Sequence, residues 1–403
     1  MAHVIVIGAG VVGCASAWAL TRAGHRVTLV DKNHSVSGGA SARNGAQLSY
    51  AYGDALASPG LLRHLPAILM RRDPAYRVWL APDPEFLVWG LRFLRNATAS
   101  RFRDNTTALL ALAARTRALL PDVVETYGLK FDYAASGKMI LYPDPVAFAK
   151  ARQGHALKTS LGIRQDLLSR DEATGLEPAL AHYRDAIEGV VWSPDDAAGR
   201  PTAFCKGLVE GLEREGGLVT MFGMEVQKLI ATRGRVAGVE FRDRSPLEAD
   251  AVVLATGHTS GSLRMPWASV WPVQGYSVTV PATDGAMHTS ITDLKRKIVF
   301  ARLGDQIRIA GNADIGPRPI AFRTERFDAL TAAARAAFST GFDLSGDLDA
   351  WSEARPCTPS SQPIIRATGP AGLFLNLGHG TLGWTLCLGA AERLVEVMRA
   401  SIR

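Results

Sequence analysis

The pattern of hydrophobic and polar positions is clearest at the start of the chain. Residues 4–7 are apolar and β-branched, which predicts a strand buried on both faces. Residues 14–23 have the helical spacing of apolar side chains that would pack on such a sheet. Residues 26–30 form a second apolar run, which ends at Asp31. This order of strand, helix and strand predicts the first unit of a Rossmann-like α/β domain.

The rest of the chain alternates between helical and strand patterns. Helical spacing occurs over residues 61–72, 86–95, 108–127, 146–161 and 327–338, and over the C-terminal residues up to 399. Strand patterns occupy residues 138–142, 187–192, 218–222, 225–232, 235–242, 251–255, 270–280, 297–302, 306–310 and 374–377. The runs between 270 and 310 alternate with polar residues, which is typical of an antiparallel sheet.

These segments predict two domains, which a length of 403 residues also favours. The fold class is α/β: a Rossmann-like domain built from discontinuous pieces, with an inserted mixed α+β domain that contains an antiparallel sheet. We assign residues 1–58, 195–262 and 350–403 to the first domain. Residues 59–194 and 263–349 are assigned to the second, which would hold the substrate.

Composition and charge narrow the class of protein. A content of 47% hydrophobic residues is ordinary for a globular chain, whereas the net charge of +7 is mildly basic and could favour an anionic membrane surface or acidic substrates. The basic residues form no block, so we expect no nucleic-acid partner. The four cysteines lie far apart, which argues against disulfides and a metal site and favours a reducing compartment. The chain shows no signal peptide and no apolar run long enough to span a bilayer, so we expect a cytoplasmic protein.

The first strand leads into a glycine motif, Gly8-Ala9-Gly10-Val11-Val12-Gly13. Its three glycines would, in order, allow a tight turn, let a pyrophosphate approach the backbone, and let the helix sit close to the strand. The free N–H groups at the helix start attract phosphate. Asp31, with Lys32 beside it, stands where a carboxylate can accept hydrogen bonds from a ribose. The motif predicts a dinucleotide site and argues against NADP, whose extra phosphate Asp31 would repel.

A loop of small residues follows Asp31, at the end of the strands where parallel sheets bind ligands. A mobile surface loop would have the same composition, but its position directly after the ribose-binding acid favours a role in binding. Arg43 could reach a phosphate. We expect the following further residues of this loop to contact the cofactor: Ser41, Ala42, Asn44, Gly45, Ala46 and Gln47.

Two later segments complete the predicted cofactor site. An apolar strand ends in Ala255-Thr256-Gly257, which fits a parallel strand returning beneath the cofactor, and the backbone at Val226 could meet the adenine. Residues 374–377 lead into Gly378-His379-Gly380-Thr381-Leu382-Gly383 and a helix. The start of that helix would stabilise the negative charge of a reduced flavin. This order of segments suits an FAD enzyme rather than a nicotinamide dehydrogenase, so we predict FAD.

Residues 61–95 combine apolar, aromatic and basic side chains at helical spacing. Such a face can dock on a membrane, with Trp and Phe at the interface and Arg at the headgroups. A helix that packs on its own domain gives the same pattern, and the sequence leaves both interpretations open. Membrane contact would place the protein on the cytoplasmic face of the inner membrane.

Three motifs in the second half of the chain point to a family. They are Gly-His-Gly-Thr-Leu-Gly-Trp-Thr at 378–385, Gly275-Tyr276-Ser277 after Trp271-Pro272-Val273, and Arg355-Pro356 with Thr358-Pro359. With these residues the chain resembles, over nearly its full length, the D-amino acid dehydrogenase branch of the glycine oxidase / D-amino acid oxidase family. The resemblance implies FAD and oxidation of an amino acid to an imino acid, which hydrolyses to a 2-oxo acid and ammonia. It also implies that Arg355 clamps the substrate carboxylate and that Tyr276 hydrogen-bonds it or covers the site.

The chain departs from this family pattern at three places. Ser360-Ser361 stand where relatives carry Asp-Gly, Arg366 stands where a glycine is usual, and Gln274 stands where a Lys is expected. Cys357 lies near the position at which some relatives attach the flavin covalently. One thiol beside a motif is a weak signal, so we expect non-covalent FAD.

The resemblance implies a D-amino acid as substrate and a membrane quinone or another molecule as electron acceptor. One alternative is a secondary amine, such as proline, hydroxyproline or an N-methyl amino acid, held by the same clamp. A second alternative is an oxidase that uses oxygen. A third is a non-catalytic flavoprotein subunit, which would be marked by loss of the clamp, whereas Arg355 and Tyr276 are both present.

Overall fold

The structure is a computed structural model, which describes residues 1–70, 72–79, 82–242, 244–258, 263, 268–316 and 321–401. The described residues form nine α-helices: α1 (Val11–Arg22), α2 (Pro59–Leu69), α3 (Pro84–Asn96), α4 (Ala99–Tyr127), α5 (Pro145–Ser160), α6 (Arg170–Leu176), α7 (Pro201–Arg214), α8 (Thr324–Ala337) and α9 (Gly383–Ser401). They also form twenty strands: β1 (His3–Ile7), β2 (Arg26–Asp31), β3 (Gln47–Leu48), β4 (Tyr76–Val78), β5 (Lys138–Tyr142), β6 (Asp166–Leu168), β7 (Gly189–Ser193), β8 (Ala197–Ala198), β9 (Leu218–Phe222), β10 (Val226–Thr232), β11 (Arg235–Phe241), β12 (Leu247–Glu248), β13 (Ala251–Leu254), β14 (Trp271–Pro281), β15 (Ser290–Asp293), β16 (Ile298–Leu303), β17 (Gln306–Ile315), β18 (Trp351–Cys357), β19 (Ile364–Thr368) and β20 (Leu373–Leu377).

The first sheet contains the N-terminal strand and has the order β19-β20-β13-β1-β2-β9. Five of these strands run parallel, and β19 pairs antiparallel with β20. Side-chain alternation sends Val4 and Val6 of β1 to the side where they pack with Trp18 of α1 and Leu394 of α9. It sends Ile5 to the opposite side, into a cluster with β10 and β11. The predicted strand is therefore buried on both faces.

The second sheet has the order β18-β14-β17-β16-β15-β5-β7-β6, and β4 pairs with β17 beside this path. Most neighbours are antiparallel, but β15 with β5 and β17 with β4 are parallel. Val278, Phe300 and Ile309 face α8, where they pack with Phe327 and Leu330. Because side chains alternate along each strand, the intervening residues face the first domain.

Two segments pack differently from the predicted domain boundaries. We assigned residues 350–403 to the first, Rossmann-like domain. Strand β18, however, lies at the end of the second sheet and pairs antiparallel with β14. We assigned α4 to the substrate domain, yet Leu109 and Val123 of this helix are buried with Trp384 of α9. Both differences arise because strand pairing and helix packing join segments that are far apart in sequence, which local periodicity does not record.

In the described part of the chain, no helix combines the length and the apolar character needed to cross a membrane.

Candidate cofactor and substrate site

A cavity of about 1450 Å³ adjoins the ends of β1, β2 and β13 and the inner face of the second sheet. It is larger than the cavities that hold one small ligand, so a dinucleotide and a substrate could share it. Of the predicted cofactor residues, all except Gly13 and Ala42 line this cavity. Arg355 and Tyr276 border it as well. The structure therefore brings together segments that are spread over the whole chain.

The glycine turn fits a dinucleotide. Gly8 has a positive φ of 106°, and a Cβ there would lie 2.5 Å from the Ala255 carbonyl oxygen. A Cβ on Gly13 would lie 1.7 Å from the Gly8 carbonyl oxygen, so Gly13 allows α1 to start against the strand. A Cβ on Gly10 would approach only the Ser41 hydroxyl, at 3.3 Å. Gly8 and Gly13 are thus needed by the turn itself, and Gly10 keeps the helix start open toward the cavity.

Asp31 is fixed at the end of β2 by the backbone around it. Its Oδ2 accepts a hydrogen bond from Ala9 N at 2.6 Å, and its Oδ1 accepts from Asn33 N at 2.8 Å. A carboxylate oxygen can accept more than one hydrogen bond, so Asp31 retains acceptor capacity for a ribose. Lys32 and Asn33 line the cavity beside it. Sequence reasoning missed Asn33, although its position two residues after the acid is typical of an Asx turn.

The loop at 38–47 is tied to the second sheet by hydrogen bonds to its backbone and from one of its side chains. Ser277 Oγ donates to the Arg43 carbonyl at 2.6 Å, and Arg308 Nη1 donates to the Asn44 carbonyl at 2.7 Å. Gln47 Nε2 donates to the Phe300 carbonyl at 3.0 Å. The guanidinium of Arg43 pairs with Asp349, so it is engaged at the protein surface rather than free for a phosphate as predicted. The loop is therefore a structured wall of the cavity.

The glycine-rich turn before α9 brings a helix start and a buried histidine to the cavity. Gly378 and Gly380 have positive φ values of 77° and 56°. Burial lowers the pKa of His379 to about 3, so its imidazole is neutral. Its Nε2 is buried and has no hydrogen-bond partner among the described residues. A helix start and an unpartnered ring nitrogen suit a polar, electron-accepting ring system.

The side chain of Arg355 extends from β18 across the neighbouring strand β14. A Cβ on Gly275 of β14 would lie 2.1 Å from Arg355 Nη2 and 2.3 Å from its Cζ. The guanidinium passes over this glycine and donates from Nη1 to the Asn312 carbonyl of β17 at 2.9 Å. Asn312 has a positive φ of 59° at a break in the register between β14 and β17. A β-bulge thus turns a carbonyl toward the arginine and fixes its direction.

Arg355 is available for an anion. Among the described residues no carboxylate lies within 4.0 Å of its nitrogens, and burial lowers its pKa from the ordinary value. A guanidinium stays charged in proteins, so one that is partly withdrawn from water in a cavity wall favours an anionic partner. The substrate carboxylate predicted from the sequence would supply it.

Tyr276 borders the cavity, but its side chain points to the face of the sheet opposite to that of Arg355, which argues against the hydrogen bond to the substrate carboxylate that the resemblance implied. Strand pairing sets Arg355 opposite Val273 of β14, and Tyr276 is an odd number of residues further along that strand. The Tyr276 ring packs edge-on to Phe322 with centroids 5.8 Å apart, in the cluster under α8. Burial raises its pKa to about 12. A motif shows which residues are adjacent, but the pleat decides which of them share a face.

A buried lysine at the far end of the cavity was missed by sequence reasoning. Lys138 is 2% exposed, donates to Ser49 Oγ at 2.8 Å, and lies 4.5 Å above the Tyr52 ring centroid. Burial lowers its pKa to about 8, and burial raises the pKa of nearby Asp196 to about 6. Ser49 N donates to Thr385 Oγ1 at 3.0 Å, which links the lysine to the first turn of α9. A charged residue within an apolar strand pattern was the available signal.

The helices α2 and α3 form the mouth of the cavity. On α3, Phe86 and Trp89 pack on the second sheet, and Trp89 Nε1 donates to the Cys357 carbonyl at 2.9 Å. The opposite side of these helices is apolar and exposed. Its large hydrophobic side chains, each 40–58% exposed, are Leu62, Leu69, Met70, Leu87, Val88, Leu91 and Leu94. Five of them, Leu62, Leu69, Leu87, Leu91 and Leu94, also line the cavity.

We refer to those seven residues as the apolar mouth. Residues 61–95 can therefore both pack on their own domain and offer a face to a membrane, since one face of α3 is buried and the opposite face is exposed. Arg72, Arg92 and Arg95 are exposed beside it.

Several known proteins are similar to this chain over nearly its full length. The chain is 38% identical over 409 residues to "D-amino acid dehydrogenase 2" of Ralstonia nicotianae, with 98% of this chain and 96% of the relative covered. It is 39% identical over 401 residues to the protein of the same name from Pseudomonas aeruginosa, with 98% and 94% covered. A "D-amino acid dehydrogenase" of Vibrio cholerae is 34% identical over 403 residues, with 99% and 95% covered.

Solved structures show the same fold at lower identity. Glycine oxidase from Geobacillus kaustophilus superposes with a TM-score of 0.75 at 18% identity, covering 99% of this chain and 95% of that structure. L-proline dehydrogenase from P. horikoshii gives a TM-score of 0.73 at 16% identity, covering 99% and 93%. The profile of the DAO family, described as FAD dependent oxidoreductase, matches residues 3–397. The family profile and these relatives, matched over nearly the full length, show that the chain belongs to the DAO family of FAD-dependent oxidoreductases.

Proposed function

We propose that this protein oxidises D-amino acids to imino acids, which water hydrolyses to 2-oxo acids and ammonia. The observation that carries the proposal is the half-buried Arg355 guanidinium, which donates to the Asn312 carbonyl in the wall of the cavity and has no carboxylate partner among the described residues. The relatives at 34–39% identity named D-amino acid dehydrogenase support the choice of substrate.

FAD, when bound, accepts the two electrons and the hydrogen removed from the substrate Cα. The predicted cofactor residues that line the cavity would hold it, with Asp31 at the ribose and the start of α1 at the phosphates. We propose that the cofactor is not covalently bound. Burial raises the pKa of Cys357 to about 12, and a thiol with so high a pKa is a poor nucleophile.

The protein side chains contribute orientation and charge. A bidentate pair between Arg355 and the substrate carboxylate fixes the carbon next to it, and so aims the Cα–H bond. The hydrogen bond from Arg355 Nη1 to the Asn312 carbonyl orients the guanidinium before the substrate binds. The start of α9 offers partial positive charge to negative charge that develops in the cavity. A neutral substrate amine needs no strong base, and the neutral His379 is compatible with that.

The test is anaerobic mixing of the purified yellow protein with D-, L- and N-substituted amino acids, followed by absorbance of the flavin and assay of the 2-oxo acid. Bleaching by D-amino acids with formation of the 2-oxo acid supports the proposal. Bleaching by proline or N-methyl amino acids alone would replace it with the secondary-amine alternative. Arg355→Ala should lower kcat/KM by orders of magnitude with FAD retained, since the clamp serves the substrate alone.

We further propose that the electrons pass to a membrane quinone and that the apolar mouth docks on the lipid surface of the cytoplasmic face. Half-exposed leucines lose unfavourable contact with water when they enter a bilayer, and burying a fully exposed Leu contributes about 2 kcal/mol. The exposed Arg92 and Arg95 suit anionic headgroups. Because the mouth residues also line the cavity, a lipophilic acceptor could reach the flavin without crossing water.

Sedimentation with vesicles of phosphatidylglycerol and phosphatidylethanolamine tests this contact. The double variant Leu87→Ser/Leu91→Ser should bind vesicles less and reduce embedded quinone more slowly, while keeping its activity with a water-soluble dye. The matched control is Leu176→Ser on α6, since Leu176 is 56% exposed but lies away from the mouth. Wild-type protein that never sediments, or a control that loses binding equally, would contradict the proposal. Rapid re-oxidation by dissolved oxygen would instead support the oxidase alternative.

A further inference from the structure

A second tyrosine shares the face of the sheet that carries Arg355. Tyr76 opens β4 and pairs in register with Ala313 of β17. Two residues further along, Ile315 is opposite Val273 of β14, and Val273 is opposite Arg355. Cross-strand partners share a face, and so do residues two apart on one strand. Tyr76 and Arg355 therefore point to the same side, opposite to Tyr276.

The guanidinium extends toward Tyr76. It crosses β14 above Gly275 and ends at the Asn312 carbonyl, which belongs to the residue before Ala313, the partner of Tyr76. Both side chains line the cavity. Burial raises the pKa of Tyr76 and the charge of Arg355 opposes that rise, so the two groups interact electrostatically. At neutral pH the phenol is protonated and can donate a hydrogen bond.

The Tyr76 ring is held by an ion pair. Lys297 Nζ lies 4.4 Å from its ring centroid and pairs with Asp73. Asp73 Oδ1 in turn accepts hydrogen bonds from Ala75 N at 3.0 Å and from Tyr76 N at 2.9 Å. One carboxylate thus fixes both the backbone of Tyr76 and the cation above its ring. A side chain that must present its hydroxyl to a ligand is expected to be held by such contacts to both its backbone and its ring.

We propose that Tyr76 is a substrate-binding residue: its hydroxyl donates a hydrogen bond to the carboxylate that Arg355 holds, with Lys297 and Asp73 as positioning residues. This rests on the proposed function, because it takes the ligand of Arg355 to be a carboxylate. It transfers to Tyr76 the contact that the sequence suggested for Tyr276. The second contact would leave the carboxylate a single orientation in the cavity.

The test compares Tyr76→Phe with Tyr276→Phe, which removes the same hydroxyl on the opposite face of the sheet. The readout is the dissociation constant of benzoate, a carboxylate without a reactive amine, measured from the change in the flavin spectrum of the holoenzyme. Tyr76→Phe should weaken benzoate about 10- to 100-fold, as expected for a hydrogen bond to a charged group, with the melting temperature and FAD content unchanged. Tyr276→Phe should leave the dissociation constant within about twofold of the wild type.

Lys297→Met separates positioning from binding. It should weaken benzoate in the wild-type background but add little in the Tyr76→Phe background, because both changes act through one hydroxyl. Equal benzoate binding by Tyr76→Phe and the wild type would overturn the proposal, as would loss confined to Tyr276→Phe. A wild type that binds benzoate but whose flavin is reduced by no D-amino acid would refute the proposed function. The proposal for Tyr76 would then be judged from the benzoate dissociation constants alone.

Discussion

Gly275 makes the position of Arg355, the proposed carboxylate clamp, testable with a single methyl group. Its φ is not positive, so alanine can adopt the backbone conformation without strain. The new Cβ would lie 2.1 Å from Nη2, 2.3 Å from Cζ and 2.7 Å from Nη1 of Arg355. Van der Waals contact requires at least about 3.4 Å, so the guanidinium must move by an ångström or more. That movement breaks its hydrogen bond to the Asn312 carbonyl.

The expected size of the effect follows from the lost contact. A hydrogen bond to a charged group contributes about 1.5–3 kcal/mol, which corresponds to about 10- to 150-fold in kcat/KM. Steady-state kinetics with a D-amino acid and a water-soluble dye would measure it. The FAD content should not change, because Gly275 lies on the second sheet, away from the glycine turn.

Two controls define the result. Gly154→Ala places the same methyl group on α5, where no atom lies within 4 Å of the new Cβ, and kcat/KM should remain at the wild-type value. Combining Gly275→Ala with Arg355→Ala should be no worse than Arg355→Ala alone, because the methyl group acts only by displacing the arginine. Normal kinetics for Gly275→Ala, or additive losses in the double variant, would refute the reasoning.

Three further predictions concern the cofactor and the buried charges. Asp31→Ala should lose FAD on dialysis, because it removes the ribose acceptor and the hydrogen-bond partner of Ala9 N. The loss would be measured as a lower flavin-to-protein absorbance ratio, and full FAD occupancy would contradict the prediction. Acid precipitation should release FAD from both wild type and Cys357→Ser, whereas retained flavin in the wild type alone would indicate a covalent bond. Lys138 has a pKa lowered from 10.5 to about 8 in the folded protein, so the unfolded chain binds more protons between these values and stability rises with pH there. In denaturant unfolding, the free energy of unfolding of the wild type should rise relative to that of Lys138→Met by up to about 1.4 kcal/mol per pH unit between pH 8 and 10. A difference that does not change with pH would contradict the prediction.

The family and the cofactor FAD could be predicted from the sequence because the motifs that indicate them are local. The glycine motif, the acid after the second strand and the late strand ending Ala-Thr-Gly each occupy a few consecutive residues. Their physical roles follow from backbone geometry at one turn, and the resemblance to the D-amino acid dehydrogenases is confirmed by relatives covered over nearly their full length. The roles of individual side chains remain proposals that the variants above test.

The substrate side of the cavity could not be predicted in the same way. Tyr276 belongs to a recognisable motif, but the pleat of β14 turns it toward α8. Tyr76 belongs to no motif, and only its pairing with β17, 237 residues away, brings it to the clamp. The carbonyl of Asn312 faces Arg355 because of a β-bulge, which no side-chain pattern announces. The membership of β18 in the second sheet likewise depends on long-range strand pairing.

The central claim is that Arg355 orients a D-amino acid for oxidation in the FAD cavity. The most direct test is the anaerobic rate of flavin reduction by D-alanine and by L-alanine in the wild type and in Arg355→Ala. The account predicts rapid reduction of the wild type by D-alanine, little by L-alanine, and a loss of at least about 100-fold with D-alanine in the variant. Equal rates for the two enantiomers, or a variant reduced as fast as the wild type, would contradict it.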